Sequence, residues 1–344
     1  MANVLDIRRR IRSVRNTRQI TKAMKMMSAA RLRKAQDRAL AARPYAQMLT
    51  NVLKSLVARA EVYDPETGQP KHPLLERRPE QNIALIIVTA DKGLAGAFNA
   101  NILKAAMRFL ESKSDKNVDI EAVGRKARDF FRRRFPMHAA DAESRTARVQ
   151  MRSERFGLQS VTFALAKEMA DNLIERYTNG EIDSVYLLYN EFKSVIAQRL
   201  VVDEILPIEE IGVGFVRQSD ELSKEQRERH AEAAKSAGVS VHAADTSEID
   251  QRAATFGTAQ VDYIYEQGAG ELFRSLLPKY VAIQIYRALL ESTAAEQAAR
   301  MTAMDSATNN ATEMIDRLTL TMNRARQASI TKEIIEIVSG AAAL

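Results

Sequence analysis

Apolar residues recur at helical spacing at both ends of this 344-residue chain, and in short runs between them. Near the start, Val4, Ile7, Ile11 and Val14 are spaced 3-4-3. Ile20, Met24 and Met27 resume at 4-3, and Leu32, Ala35 and Ala39 continue at 3-4, so the stripe is narrow and carries phase shifts. That pattern predicts a helix with a coiled-coil-like seam rather than the broad face of a globular helix. Pro44 is expected to kink or end it, because an interior proline lacks the N–H and clashes with the preceding turn. Apolar spacing then resumes at Leu49, Leu53, Leu56 and Val57. The C-terminal end is more regular. Met301, Met304, Thr308, Ala311, Ile315, Leu318, Met322 and Ala325 hold a 3-4-3-4-3-4-3 spacing, an a/d pattern over about four heptads. No proline follows Pro278 and no glycine lies between Gly270 and Gly340. One helix from Val281 to Ser339 would therefore be about 90 Å long. No small domain is that wide, so most of this helix must pack on another long helix, and the N-terminal one is the candidate. The expected seam holds Ile7, Ile11 and Val14 on one side and Met304, Ile315, Leu318 and Met322 on the other. Pattern alone leaves open an ordinary helical hairpin whose polar face is simply solvated.

Between the ends the period changes. Ile83–Thr89 is a continuous apolar run, as in a buried strand, and Val118–Val123 alternates before Gly124. Ser184–Tyr189 and Ser194–Val202 read as two further strands joined as a hairpin. Helical patterns lie at Asn99–Leu110, Arg125–Arg134 and near Phe156–Tyr177. Strand–helix alternation predicts an α/β layer with a mainly parallel sheet. The expected division is a helix over 1–60, an α/β body over 75–206, an insertion over 207–257, a return to the body over 258–280 and a second long helix over 281–344. Within the insertion, Ser223 with Gln226 fits a capping box and Gly238 a C-terminal glycine cap. Arg227–Lys235 is charged and largely without an apolar stripe, so the insertion is expected to lie exposed on the body.

Composition agrees with a helical chain and narrows its chemistry. Thirteen glycines and eight prolines are about half the ordinary share, and there is no tryptophan. The absence of cysteine excludes disulfides, thiolate metal sites and thiol nucleophiles. His72, His138, His230 and His242 show no ligand or dyad spacing, so no metal or cofactor is expected. No apolar run reaches the length of a membrane span. The basic amphipathic start also fits a mitochondrial presequence, but the helical pattern runs past residue 40 and is read as mature protein. The formal charge is +7, yet residues 1–34 carry eleven cations and one acid. That +10 helix is compatible with an anionic partner.

One strand–helix turn, Ala90–Asn99, contains Gly93 and Gly96. It matches neither G-x-G-x-x-G nor a P-loop, and reads as a tight turn. Asp91 and Lys92 form an acid–base pair on paper, but no histidine or second carboxylate accompanies them, so no catalytic residue is assigned.

Three segments resemble one family. RIRSVRNTRQITKAMKMMSAARLRKAQ (Arg10–Gln36), TADKGLAGAFN (Thr89–Asn99) and the C-terminal stretch Leu289–Leu344 are similar to the gamma subunit of F-type ATP synthase. The resemblance covers the chain except about 207–257. It implies an α/β fold class in which the two end helices form a long antiparallel coiled coil on a central Rossmann-like domain. It implies a rotor shaft whose tip enters a ring of alpha and beta subunits. The body would sit with the epsilon subunit and the c-ring, at the cytoplasmic face of a bacterial inner (plasma) membrane in preference to the mitochondrial matrix face. Catalysis would belong to the beta subunits, with no cofactor and no nucleic acid on this chain. By resemblance, Met24, Arg326 and Gln327 contact beta-subunit loops, and the apolar tail Ile334–Leu344 meets an apolar collar. Met322 replaces a common tyrosine and Ala95 a common cysteine. Without cysteine, a dithiol switch in the insertion is excluded. The alternative reading is a coiled-coil nucleic-acid-binding protein using the basic helix. Against it, that helix has no stacking aromatics.

Overall fold

The computed structural model describes residues 4–57, 70–137, 147–155, 157, 161–196, 198–208, 215–241 and 268–342. Two helices dominate it. α1 spans Val4–Val57 and passes through Pro44 without ending. Leu49, Leu53 and Leu56 lie beyond the proline and are fully or almost fully buried, and this burial offsets the lost backbone bond. The last helix, α6, spans Ala269–Ala342 and runs through Pro278; at 74 residues it is about 110 Å long. It begins twelve residues before the expected Val281. Phe273, Leu277 and Tyr280 are buried there, so residues 269–280 belong to the helix rather than to a return of the body. Residues 242–267 lie outside the described residues.

The body is one six-stranded sheet in the order β3-β2-β1-β4-β5-β6. Its strands are β1 (Asn82–Val88), β2 (Asn117–Val123), β3 (Val149–Arg155), β4 (Ser184–Phe192), β5 (Gln198–Leu206) and β6 (Phe215–Glu221). The first four are parallel, and β5 and β6 add antiparallel. Helices α2 (Phe98–Ser112), α3 (Arg125–Phe131), α4 (Phe163–Thr178) and α5 (Lys224–Ser236) complete it. β1 is buried along nearly its whole length, as its apolar run demands. β3 escapes the periodicity reading because VQMRSER carries two arginines and a glutamate. β2 differs from its expected alternation. Asp119 and Glu121 are buried, and Arg176 of α4 pairs with both, at 3.2 Å for Glu121. Gln150 adds a 2.9 Å bond to Asp119 and Arg155 a 3.3 Å contact to Glu121. This network fastens β2, β3 and α4.

The sheet has a core on each face. One packs β1, β4 and β5 against α4, the end of α1 and α6 around Phe273–Leu290. The other packs them against α2, α3, α5, α1 around Ala29–Ala35 and α6 around Ala294–Met301. The two long helices therefore cross from one face to the other before leaving the body. At the turn after β2, Gly124 has φ +95, and a Cβ there would meet the Thr89 carbonyl at 2.1 Å. Only glycine fits that approach.

The insertion is more integral than expected. β6 pairs with β5 along its length. α5 has the capping box at Ser223 and Gln226, and Gly238 follows it at φ +66. His230, Ala233 and Ala234 are buried, so α5 docks on the molecule rather than lying free.

Candidate functional site

Where α1 and α6 leave the body they pack antiparallel. The Thr308 hydroxyl donates to Thr21 Oγ1 at 2.8 Å, and Lys25 Nζ meets Asp305 Oδ1 at 2.6 Å. Farther out, Ile7, Ile11 and Ile315 form a buried cluster with Val14, Leu318, Met322 and Ala325 packed on it. Met304 is buried near the polar pair.

The middle of the α1 seam runs through different residues from those its apolar spacing suggests. Ile20 and Met27 are exposed, at 60% and 49%, and Met24 is half-buried. The side chains facing α6 are Ile7, Ile11, Val14, Arg18, Thr21, Lys25, Ser28, Leu32 and Ala35, all buried or half-buried. Their spacing is an unbroken 4-3-4-3-4-3-4-3. The phase shifts came from following hydrophobicity off the seam, across a stretch where the heptad is polar. A regular heptad that tolerates polar residues was the signal that would have found Thr21 and Lys25.

Lys25 also donates to Ser236 of α5 at 2.7 Å, and Arg33 donates to the Gly238 carbonyl. Ser236 Oγ also lies 3.4 Å from Asp305 Oδ1 of α6, so the inserted element touches both helices of the shaft. Most of the other basic side chains of α1 are exposed. Lys25 and Arg33 are engaged internally, so the cations do not form one uninterrupted ribbon.

At the foot, small side chains bring the helices against the sheet. Ala294, Ala295, Ala298 and Met301 have no exposed surface, and neither does Leu32 opposite. The Ala90–Asn99 turn clasps α6 here. Gly96 faces Ala303, and Arg300 reaches the Gly93 carbonyl at 3.3 Å while pairing with Glu296 at 2.6 Å. Burial raises the Glu296 pKa, against the pull of Arg300. Asp91 accepts from the Arg125 and Gly157 amides at 3.1 and 3.0 Å, so it is a brace between turns. Open α/β sheets bind ligands at the carboxyl ends of their strands, beside the point where strand order reverses. Here α6 occupies much of that place.

At the opposite end α6 outruns its partner. By the Thr21–Thr308 register, Val4 stands level with about Ala325, and α6 continues for roughly 25 Å beyond the described start of α1. Arg326 and Gln327 are exposed at the beginning of this lone segment. Ile330, Ile334, Ile335, Ile337 and Val338 are 48–71% exposed along it. Leu344 lies outside the described residues. Met24, next to Lys25, lies about 30 Å down the shaft from Arg326, so the structure does not gather these three residues. Among the described residues no cluster of three metal-ligating side chains occurs, and no helix is long and apolar enough to cross a membrane.

A family model described as ATP synthase matches residues 3–344. An ATP synthase gamma chain of Solibacter usitatus is 47% identical over 343 residues, covering 100% of this chain and 99% of the relative. One from Pelotomaculum thermopropionicum is 42% identical over 345 residues, covering both chains in full. Among solved structures, the fold is similar to a chain of the Euglena gracilis mitochondrial ATP synthase OSCP/F1/c-ring (TM-score 0.54, 18% identity, 99% of this chain and 94% of that one). It is also similar to a chain of the Tetrahymena thermophila mitochondrial ATP synthase central stalk and c-ring (TM-score 0.51, 24% identity, 84% and 99%).

Proposed function

The chain belongs to the ATP synthase gamma-chain family, and from that premise we propose that it is the central rotor shaft of a proton-translocating F-type complex. The observation that carries this reading is the shape of the α1–α6 pair, a stiff two-helix stem on a sheet-based foot that ends in a single exposed helix. The body stands on the ion-driven c-ring with the epsilon subunit, and the stem rises into the ring of alpha and beta subunits. As the ring turns, the foot transmits rotation through the clasp of the Ala90–Asn99 turn on α6 and the grip of α5 on both helices. A stem that is one helix wide at its tip and two helices wide below has no threefold symmetry. It therefore offers a different face to each beta subunit, and the three nucleotide sites cycle through different affinities. ATP is made on those subunits, and this chain supplies geometry in place of catalytic groups. The complex is peripheral to the membrane at this chain, on the cytoplasmic face in a bacterium.

Contact with beta-subunit loops occurs at two heights, near Met24 and near Arg326 and Gln327. The exposed isoleucines of the tip rest in an apolar collar, which covers a patch that would otherwise face water. Mixing the full chain with alpha and beta subunits should give a single stoichiometric complex, required for coupled activity. Failure to form one, or ATP hydrolysis by the isolated chain at a useful rate, would sink the proposal. In that complex Arg326→Ala should abolish or weaken coupling while shifting fold stability by no more than about 0.5 kcal/mol, since the side chain is exposed. Unaltered ATP-driven proton pumping would remove Arg326 from the contact.

A further inference from the structure

Independently of the shaft reading, α5 carries a titratable group at the joint where it docks. It lies where the α1–α6 stem leaves the body, and little apolar surface holds it there. Among the described residues its buried apolar side chains are Ala233 and Ala234, with Val239 just past its end. A cavity of about 400 Å³ lies between it and the Ala95–Phe98 turn, α2, β5 and α6. Its ties to the stem are polar. Lys25 donates to Ser236 at 2.7 Å, Ser236 Oγ lies 3.4 Å from Asp305 Oδ1, and Arg33 donates to the Gly238 carbonyl. At its root the Leu222 amide donates to the Gln198 carbonyl at 3.3 Å, continuing the pairing of β6 with β5. A helix seated on two alanines and a few polar contacts opens at low free-energy cost.

His230 sits in the docked face. It is 8% exposed, its ring bonds the Val195 backbone, and Nδ1 has no partner. A second proton on this ring would place an N–H in a buried position with no acceptor, which is costly. The charged groups facing the same cavity are Lys104 and Arg108 of α2, Arg199 of β5 and Arg229 of α5. The described lining side chains of β4 and α6 are uncharged, and no carboxylate is among them. Glu191, Glu225 and Asp305 lie outside the lining and are paired with Arg199, Arg229 and Lys25. Nothing described there would stabilise an imidazolium. Burial accordingly lowers the pKa of the docked ring to about 4, from an ordinary value of 6.5.

We propose that α5 is an acid-released strap, docked across the stem while His230 is neutral and lifted from Lys25, Arg33 and Asp305 when His230 takes a proton. Lifting returns the ring to water, where it titrates normally. By linkage, docking is at full strength above pH 6.5, weakens as pH falls through that value, and has lost the whole contribution below about 4. The ratio of lifted to docked α5 should therefore rise about 30-fold between pH 7.5 and 5. Because the root stays paired to β5, the strap can reseat when the pH returns.

The test is amide exchange of the purified full chain at pH 7.5, 6 and 5, corrected for intrinsic exchange and read by mass spectrometry. The opening constant of the α5 amides should rise about 30-fold from pH 7.5 to 5 and fall back on return, while β1 and β4 keep their protection. His230→Gln, which takes no proton in this range, should flatten the rise. An α5 opening constant unchanged with pH, or a rise that persists in His230→Gln, would overturn the strap. Loss of protection in β1 and β4 together with α5 would also overturn it, since acid would then be unfolding the body. If His230→Gln leaves α5 undocked at pH 7.5, the deciding measurement is an NMR titration of the His230 ring in the unsubstituted chain, assigned by its absence from the variant. A midpoint between about 4 and 6 supports the strap, and one at 6.5 or above overturns it.

Discussion

The foot and the free stem are made from the same two helices, yet they are held by different forces. In the foot, Leu32, Ala294, Ala295, Ala298 and Met301 have lost all contact with water, and a sheet backs them. Among the described residues of the free stem each helix packs on the other, and the apolar cluster reduces to Ile7, Ile11 and Ile315 with four partly buried neighbours. At roughly 25 cal/mol per Å², so small a cluster contributes little beyond the ordering cost of its helices. Between the two regions lie Thr21–Thr308 and Lys25–Asp305, which set register more than they add stability. Strength is concentrated in the foot, while the stem is specified by alignment.

That contrast can be broken experimentally. Leu32→Ala, inside the foot, should lower global stability by about 2–5 kcal/mol, read as a shifted denaturant midpoint. A loss below about 1 kcal/mol would mean the foot is not the anchor. Ile315→Lys places a charge in the stem cluster and should cost about 2–3 kcal/mol locally. Amide exchange should accelerate over Val4–Val14 while the global midpoint stays put, and a shifted midpoint would make the stem part of the cooperative core. Lys25→Met should cost about 1–2 kcal/mol, because Asp305 is left almost buried without its cation. Lys25→Met with Asp305→Leu should recover most of that loss, and a double-mutant cycle measures the difference. The smallest effect is expected at Asp203 in the body. Burial, reinforced by Glu191 and Glu291 and opposed by Arg287, raises its pKa to about 6. A raised carboxyl favours the folded state fully below its unfolded value near 4, and that contribution is lost as pH rises through about 6. Asp203→Asn should therefore gain about 1 kcal/mol over the parent at pH 8, and the gain should shrink below pH 4. A pH-independent difference would point to packing instead.

The same contrast explains what the sequence revealed. Long helices advertise themselves by period and by missing glycine and proline, and the C-terminal heptads Met301–Ala325 are apolar enough to read directly. The α1 seam was obscured where it became polar, since Thr21, Lys25 and Ser28 carry no hydrophobic signal and Ile20 and Met27 carry a misleading one. β1 was legible because it is buried on both faces. β3 was not, because its charges are satisfied by neighbours distant in sequence, and the burial of Asp119 and Glu121 depends on Arg176, 55 or more residues away. The capping box of α5 was visible locally, but its docking on Lys25 and Arg33 is a long-range fact. The beta-subunit contacts proposed for Met24, Arg326 and Gln327 come from resemblance, not from any pattern in the residues.

The crevice at the carboxyl ends of the strands has one more consequence. In other open sheets a diffusing molecule occupies that place and leaves at a rate set by its affinity. Here most of the occupant is α6, joined to the same chain, so its effective concentration is that of an intramolecular partner. Dilution cannot empty the crevice. A load applied to the stem thus meets a joint that behaves as a tethered complex, able to flex and reseat without its parts ever being lost to solution.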